Sequence, residues 1–123
     1  MNTFQILLVL SHPSFSAMEI SEALSTPPEQ PLSPKAHIWL KKIHEGHSES
    51  EFEEGLRKAL LFVQSNREFL RNFAQAGGNS QVVLSQDILL DEGKVLEITV
   101  RPNFIAELGR CEVSLTIEGW RRL

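Results

Sequence analysis

The chain contains a single cysteine, Cys111, among its 123 residues. A lone cysteine cannot form an intrachain disulfide, and it excludes zinc sites that are built from several thiolates. A single thiol also suits a reducing compartment. A chain of this length buries roughly two-thirds of its unfolded surface on folding, so we expect a domain that needs neither a disulfide nor a metal ion for stability.

Positive charge is also scarce. The 12 Lys and Arg residues are outnumbered by 16 Asp and Glu residues, which leaves a net charge of −4. Proteins that bind the phosphate backbone of nucleic acids derive much of their affinity from Lys and Arg. The sequence therefore predicts no nucleic-acid partner, and its acidity favours solubility.

The third scarcity is of long hydrophobic runs. The most apolar stretch near the start, residues 4–10, is interrupted by Gln5, and no Lys or Arg precedes it. A membrane-spanning helix needs about 20 apolar residues, and a secretory signal begins with basic residues. We interpret residues 4–10 as a buried first strand, and we expect no signal peptide, no membrane partner and a cytoplasmic location.

Periodic spacing of apolar residues predicts the secondary structure. Alternation predicts strands near residues 3–10, 36–43, 82–88, 96–100 and 111–117. Spacings of three and four predict helices from Ser16, over residues 48–76 and over residues 102–109. The element order is therefore β-α-β-α-β-β-α-β in one domain, residues 1–123.

The two most regular strand patterns, at residues 96–100 and 111–117, have polar residues on one face. Such alternation is typical of antiparallel sheets that are covered on one side. We predict an α+β fold of ferredoxin-like character: a two-layer sandwich whose mainly antiparallel sheet carries helices on one face and has a polar opposite face. Leu96, Ile98, Val100, Val113, Leu115 and Ile117 are predicted to point into the core.

Capping signals mark the helix starts. Ser16 and Glu19 have the spacing of a capping box, and Phe15 can pack onto Ile20 as a hydrophobic staple. The long helical region starts at Ser48 or Ser50. A second Ser-x-x-Glu pattern at residues 65–68 leaves open whether residues 48–76 form one helix or two.

Histidines are clustered in the segment His44-Glu45-Gly46-His47, with His37 nearby. The histidine pair of a zinc-protease helix is four residues apart, whereas this pair is three apart with a glycine between. We therefore interpret the segment as a solvated loop and predict no metal and no cofactor.

No nucleophile has a catalytic setting. The serines lack a Gly-x-Ser-x-Gly context, and Cys111 is predicted to be a buried, inert thiol on the apolar face of a strand. No catalytic residue is predicted, and the sequence favours a non-enzymatic role.

Acidic residues are concentrated at residues 45–54, which contain five glutamates and no Lys or Arg. Favourable interaction with the helix dipole fades within the first turn, so it explains only one or two of them. The others are either solvated surface or a surface for a basic partner. The candidate partner-binding residues are Glu49, Glu51, Glu53 and Glu54, together with Trp39, which either closes the core edge or lines a binding surface.

Three features together resemble an uncharacterised bacterial family known only as a domain of unknown function, number forty-two seventy-nine. They are the early helix SAMEISEAL at residues 16–24 followed by prolines, the strand tryptophan Trp39, and the ending FIAELGRCEVSLTI at residues 104–117. The resemblance implies a small bacterial, cytosolic α+β domain. That family has no established activity, so no site residue is transferred.

These observations favour a non-catalytic domain that binds another protein. An immunity protein that neutralises a bacterial toxin is one concrete form of this hypothesis. The alternative is a small-molecule binding domain or an enzyme that uses the open sheet face. Neighbouring genes would separate the two, because a toxin-like reading frame favours immunity and a metabolic operon favours the alternative.

Overall fold

A computed structural model describes residues 3–29, 36–89 and 99–122. Their elements, in chain order, are β1 (Thr3–Ser11), α1 (Ala17–Leu24), β2 (Ile38–Gly46), α2 (Glu49–Ser65), α3 (Arg67–Gln75), β3 (Asn79–Leu89), α4 (Pro102–Arg110) and β4 (Ser114–Arg122). The α+β class is confirmed, and the described elements follow the predicted order, whereas the predicted strand at residues 96–100 lies mostly outside the described residues. No helix in the described ranges is long and apolar enough to cross a membrane.

The described strands form one mixed sheet in the order β2-β1-β3-β4. The central strand β1 is antiparallel to β2 and to β3, whereas β3 and β4 are parallel. The sheet is thus mainly antiparallel, as predicted. A register shift in the β1–β2 pair leaves Ile43 without a partner across from β1, because Ile6 pairs with His44 and Leu7 with Lys42.

One face of the sheet is covered by helices. The even-numbered side chains of β1 from Phe4 to Leu10 are almost fully buried, and they pack with apolar residues of the four helices. In α2 these are Phe52, Leu56, Ala59 and Val63, at the three- and four-residue spacings that the sequence predicts.

Helix α2 comes very close to the sheet at Gly55. A Cβ atom there would lie 2.6 Å from Ile6 Cδ1 and 3.0 Å from His44 Cβ. Only glycine fits this approach without displacing a neighbour. The helix layer is therefore pressed against the centre of the sheet.

The helix signals of the sequence are reproduced in detail. Ser16 and Glu19 form a complete capping box, and Ser48 caps α2 by accepting the backbone N–H of Glu51. The helical region divides into α2 and α3 at Asn66, whose Nδ2 donates to Phe62 O at 2.9 Å. A side chain that bonds the preceding turn competes with the helical ladder and ends α2 here.

The predicted position of Cys111 in a strand is wrong. Cys111 is the C-cap of α4, and β4 begins only at Ser114. Glu112 adopts a left-handed conformation with φ 57°, so this segment is a turn. Cys111 and Val113 are nevertheless buried, which explains why the turn resembled the start of an alternating strand.

The core prediction for β4 is correct for only part of the strand. The parallel register places Leu115 beside Val82 and Ile117 beside Leu84. Leu115 packs against the core, but Ile117 is 62% exposed. β4 lies at one end of the described strand order, where facing the core side of a sheet does not by itself bury a side chain.

The predicted polar face is also more apolar than expected. Leu7, Val9 and Leu40 lie on the side of the sheet away from the helices and are half-buried, and Ile38 continues this stripe. The predicted core positions Leu96 and Ile98 fall outside the described residues. Val100 is half-buried but irregular, not part of a strand.

Candidate protein-binding surface

The turn between β2 and α2 sets the positions of the acidic residues. Gly46 ends β2, and Ser48 Oγ accepts the N–H of Glu51 at 3.3 Å, so α2 starts at Glu49. This choice of Ser48 over Ser50 as the cap determines which glutamates face solvent.

Glu51 is a structural residue of this turn. Its Oε2 accepts the N–H of His47 at 3.1 Å, and its side chain is half-buried against Gly46. A carboxylate that accepts from a backbone N–H at a helix start is already satisfied there. Glu51 therefore stabilises the turn. The sequence suggested an exposed, partner-binding role for this residue, whereas its carboxylate is half-buried and bonded within the turn.

The other predicted glutamates are exposed. Glu49, Glu53 and Glu54 form no ion pair with any described residue, and Glu45 Oε2 lies 3.3 Å from Lys42 Nζ. We call Glu45, Glu49, Glu53 and Glu54 the acidic strip. Glu53 and Glu54 lie in the second turn of α2, beyond the reach of the helix dipole, so the dipole does not account for them.

A cavity of about 420 Å³ adjoins the acidic strip. Its lining is formed by the start of β1 and the β2–α2 turn: Thr3, Phe4, Gln5, Glu45, Gly46, His47 and Glu51. Phe4 belongs to the core and packs edge-on against Phe52 at 5.2 Å. Phe4 is only 2% exposed, so the cavity offers little of its ring, and the acidic groups of the lining are the carboxylates of Glu45 and Glu51.

The two histidines of the predicted loop have different environments. His44 lies within β2 under α2, and its Nδ1 is 3.2 Å from Lys58 Nζ. Its Nε2 is buried and has no hydrogen-bond partner in the part of the chain that the structure describes. His47 is exposed in the turn. No group of three or more His, Cys, Asp or Glu side chains in the described ranges is arranged to hold a metal ion.

Trp39 is a core residue. It is fully buried, its ring stacks with Phe62 at a centroid distance of 6.4 Å, and Nε1 donates to Thr26 O at 3.3 Å. Of the two alternatives from the sequence, the structure therefore shows the core role, and Trp39 presents no surface to a partner.

Cys111 is buried beside α2, with Sγ 4.0 Å from Val63 O. Burial raises the pKa of this thiol, and the nearby carboxylate of Glu107 raises that pKa further. Because the thiolate is the nucleophilic form, the thiol is held in its unreactive state. The prediction of a buried thiol is confirmed, although its position in the fold is different.

His12 was missed by the sequence analysis. It is 6% exposed, its Nδ1 accepts the N–H groups of Ser14 and Phe15 at 2.9 and 3.1 Å, and its Nε2 lies 2.9 Å from Ala76 O. Two backbone donors at Nδ1 require the tautomer in which Nε2–H donates to the carbonyl. No periodic pattern signals such a residue, because its burial depends on Ala76, which is 64 residues away along the chain.

No family model, curated protein or solved structure matches this chain. The resemblance to the domain of unknown function remains a prediction, and no residue role is taken from it. The functional argument therefore depends on the surface itself.

Proposed function

We propose that this chain is a non-catalytic domain that binds another protein, and that the partner presents Lys or Arg side chains to the acidic strip. The observation that carries the proposal is the group of exposed carboxylates Glu49, Glu53 and Glu54, which have no ion-pair partner among the described residues. Carboxylates on adjacent turns of a helix repel one another and are relieved by an opposing cationic surface.

The cavity beside the strip supports this proposal. A basic side chain that entered it would lay its alkyl stem in the cavity and place its charged group beside the Glu45 carboxylate, in competition with Lys42. Arg and Lys bury their stems in this way while the charged group keeps polar neighbours. The partner would thus be anchored at one point and steered by the charges around it.

The biological form of the proposal is a bacterial, cytoplasmic immunity protein that neutralises a toxin with a basic surface. Its support is the acidic strip and the low content of positive charge, which also argues against a nucleic-acid partner. The alternative from the sequence was a ligand site or an enzyme on the open sheet face. The described part of that face carries the apolar Leu7, Val9 and Leu40 beside the ion pair of Lys42 with Glu45, and no histidine or cysteine.

The experiment compares two matched triple variants of the chain. One changes Glu49, Glu53 and Glu54 to Gln, and the control changes the exposed Glu68, Glu112 and Glu118 to Gln. Both alter the net charge by the same amount, so a general effect of charge cancels between them. Circular dichroism verifies that each variant is folded.

A partner is first recovered by affinity capture and purified, and its association rate is then measured at low and high salt. We expect the first variant to associate about tenfold or more slowly at low salt and to lose most of its salt dependence, because electrostatic steering acts on the association rate. The control should behave as the unmodified protein. Equal rates and equal salt dependence in both variants would refute the proposal and leave the strip as a solvated helix start.

A further inference from the structure

A second surface lies between α1 and α3. A groove of about 440 Å³ is lined by Phe15, Ile20, Ala23 and Phe69, with Glu19 and Glu22 at its rim. We call it the α1–α3 groove. Its volume falls within the range of about 300–1,000 Å³ that is typical of binding pockets. Its lining residues come from three segments that only the fold brings together.

The aromatic wall of this groove is held rigidly. The Phe15 ring stacks on His12 at a centroid distance of 4.3 Å, and His12 in turn lies 5.1 Å from Phe73. Phe69 packs on Phe73 at 5.5 Å. The hydrogen bonds of His12 to Ser14, Phe15 and Ala76 fix the base of this stack. A surface that is ordered before binding loses less entropy when a partner arrives.

The groove leaves apolar surface uncovered. Phe15 is 37% exposed, and Met18, which follows it on α1, is 52% exposed. Phe15 and Ile20 both line the groove, as the predicted hydrophobic staple would place them. The Phe15 ring, however, stacks on His12. An exposed aromatic residue in a pocket is typical of protein-binding surfaces, and Phe15 is such a residue.

The charge at the rim defines the occupant. Among the residues that line the groove, two are acidic and none is basic. Glu19 Oε1 accepts from Ser16 N and Oγ, whereas the exposed Glu22 carboxylate has no ion pair within the described residues. An apolar floor with an acidic rim is complementary to an apolar side chain flanked by positive charge.

We propose that the α1–α3 groove binds a peptide segment of a protein partner, with an aromatic or large aliphatic anchor in the groove and a neighbouring Lys or Arg beside Glu22. This inference rests on the proposed protein-binding function, and it adds a second contact to it. Helix α2 is 17 residues long and so spans about 25 Å. The acidic strip lies at its first end, and the groove begins beyond its other end.

The probe is a blocked tripeptide of arginine, phenylalanine and arginine, titrated into the intact chain and followed by NMR chemical shifts. We expect saturable shifts for Phe15, Ala23 and Phe69, which line the groove. A tripeptide with glutamate in place of both arginines should bind about tenfold more weakly, which corresponds to roughly 1.4 kcal/mol. The reason is that Glu22 repels a negative charge at the position where it attracts a positive one.

Ala23→Lys places a long cationic side chain in the groove, and Ala106→Lys is its matched control, because Ala106 is an exposed alanine on α4. We expect the first variant to abolish the shifts and the second to preserve them. Shifts that map outside the groove, equal binding of both peptides, or unchanged binding by Ala23→Lys would each overturn the proposal. So would indole binding as tightly as the arginine peptide, which would indicate a site for a neutral small molecule.

The two proposals fail separately. If the variant of Glu49, Glu53 and Glu54 slows association with a partner but the arginine peptide does not bind, the groove proposal is wrong and the proposed function stands. If the peptide binds in the groove while that variant has no effect on association, the proposal that the acidic strip binds a partner is wrong and the groove proposal stands.

Discussion

The two faces of the sheet share the same central strand but differ sharply in burial. On the helix-covered face, Ile6 and Leu8 are at most 1% exposed. On the other face, their neighbours Leu7 and Val9 are only half-buried. Side chains alternate between the two faces of a strand, so neighbouring residues of similar size face different surroundings. Those that face the helix layer contribute more to the free energy of unfolding.

The comparison also separates stability from function. The core between the helices and the sheet contains Trp39 and Cys111, which are buried and unavailable to a partner. The candidate binding residues lie instead on helix ends, turns and the groove between α1 and α3. Surface elements that are positioned by a rigid scaffold are the usual location of binding sites.

The largest expected effect tests the two faces directly. Leu8→Ala should lower the free energy of unfolding by about 2–5 kcal/mol, because it leaves a cavity in the core. Leu7→Ala removes the same atoms from a half-buried position and should cost less than half as much. Urea denaturation of both variants measures the difference, and equal losses would show that the open face is as tightly packed as the covered one.

A second prediction concerns the space under α2. Gly55→Ala should destabilise the chain by about 1–3 kcal/mol, since the added methyl group overpacks the contact with Ile6 and His44. Gly109→Ala is the matched control, because a Cβ there has no neighbour within 4 Å. The control should be neutral or stabilising by up to about 1 kcal/mol. Destabilisation by both substitutions would argue against a specific close contact at Gly55.

The third prediction uses the thiol on the covered side. The pKa of Cys111 is raised by burial above its ordinary value of 9.0, so the unfolded chain loses this proton first as the pH rises. The contribution of the protonated thiol to the free energy of unfolding is therefore fully present below the pKa of the unfolded chain. It is lost as the pH rises from that value through the pKa of the folded chain.

Cys111→Ala is the comparison for this effect. The stability difference between the unmodified chain and the variant should be constant near neutral pH and shrink above pH 9.0. Urea denaturation across that range measures it. The sequence contains no tyrosine, so no phenol titration overlaps with the thiol. A difference that stays constant through this range would show that the thiol is not desolvated.

The smallest effect is expected on the open face. Ile38 is 52% exposed at the edge of the apolar stripe. Ile38→Thr keeps a β-branched side chain in the strand and should change the free energy of unfolding by at most about 0.5 kcal/mol. A loss several times larger would mean that this face is covered in solution.

Much of the fold could be predicted because it depends on local spacing. The capping box of Ser16 and Glu19, a cap at either Ser48 or Ser50, and the apolar stripe of α2 each involve residues within a few turns. The candidate site was predictable only as a cluster of charge. The sequence could not show that Glu51 bonds the turn while Glu53 and Glu54 form no ion pair within the described residues, because the bond of Glu51 depends on how the backbone N–H of His47 is directed.

By itself the sequence determined the α+β class, the order of the elements and the buried nature of the single thiol, because periodicity and composition are properties of neighbouring residues. The tertiary structure alone decided that Ile117 is exposed, that His12 is buried and bonded to Ala76, and that Phe15 and Phe69 share one groove. Each of these outcomes depends on contacts between residues that are distant along the chain, and such contacts exist only after the helices have packed on the sheet.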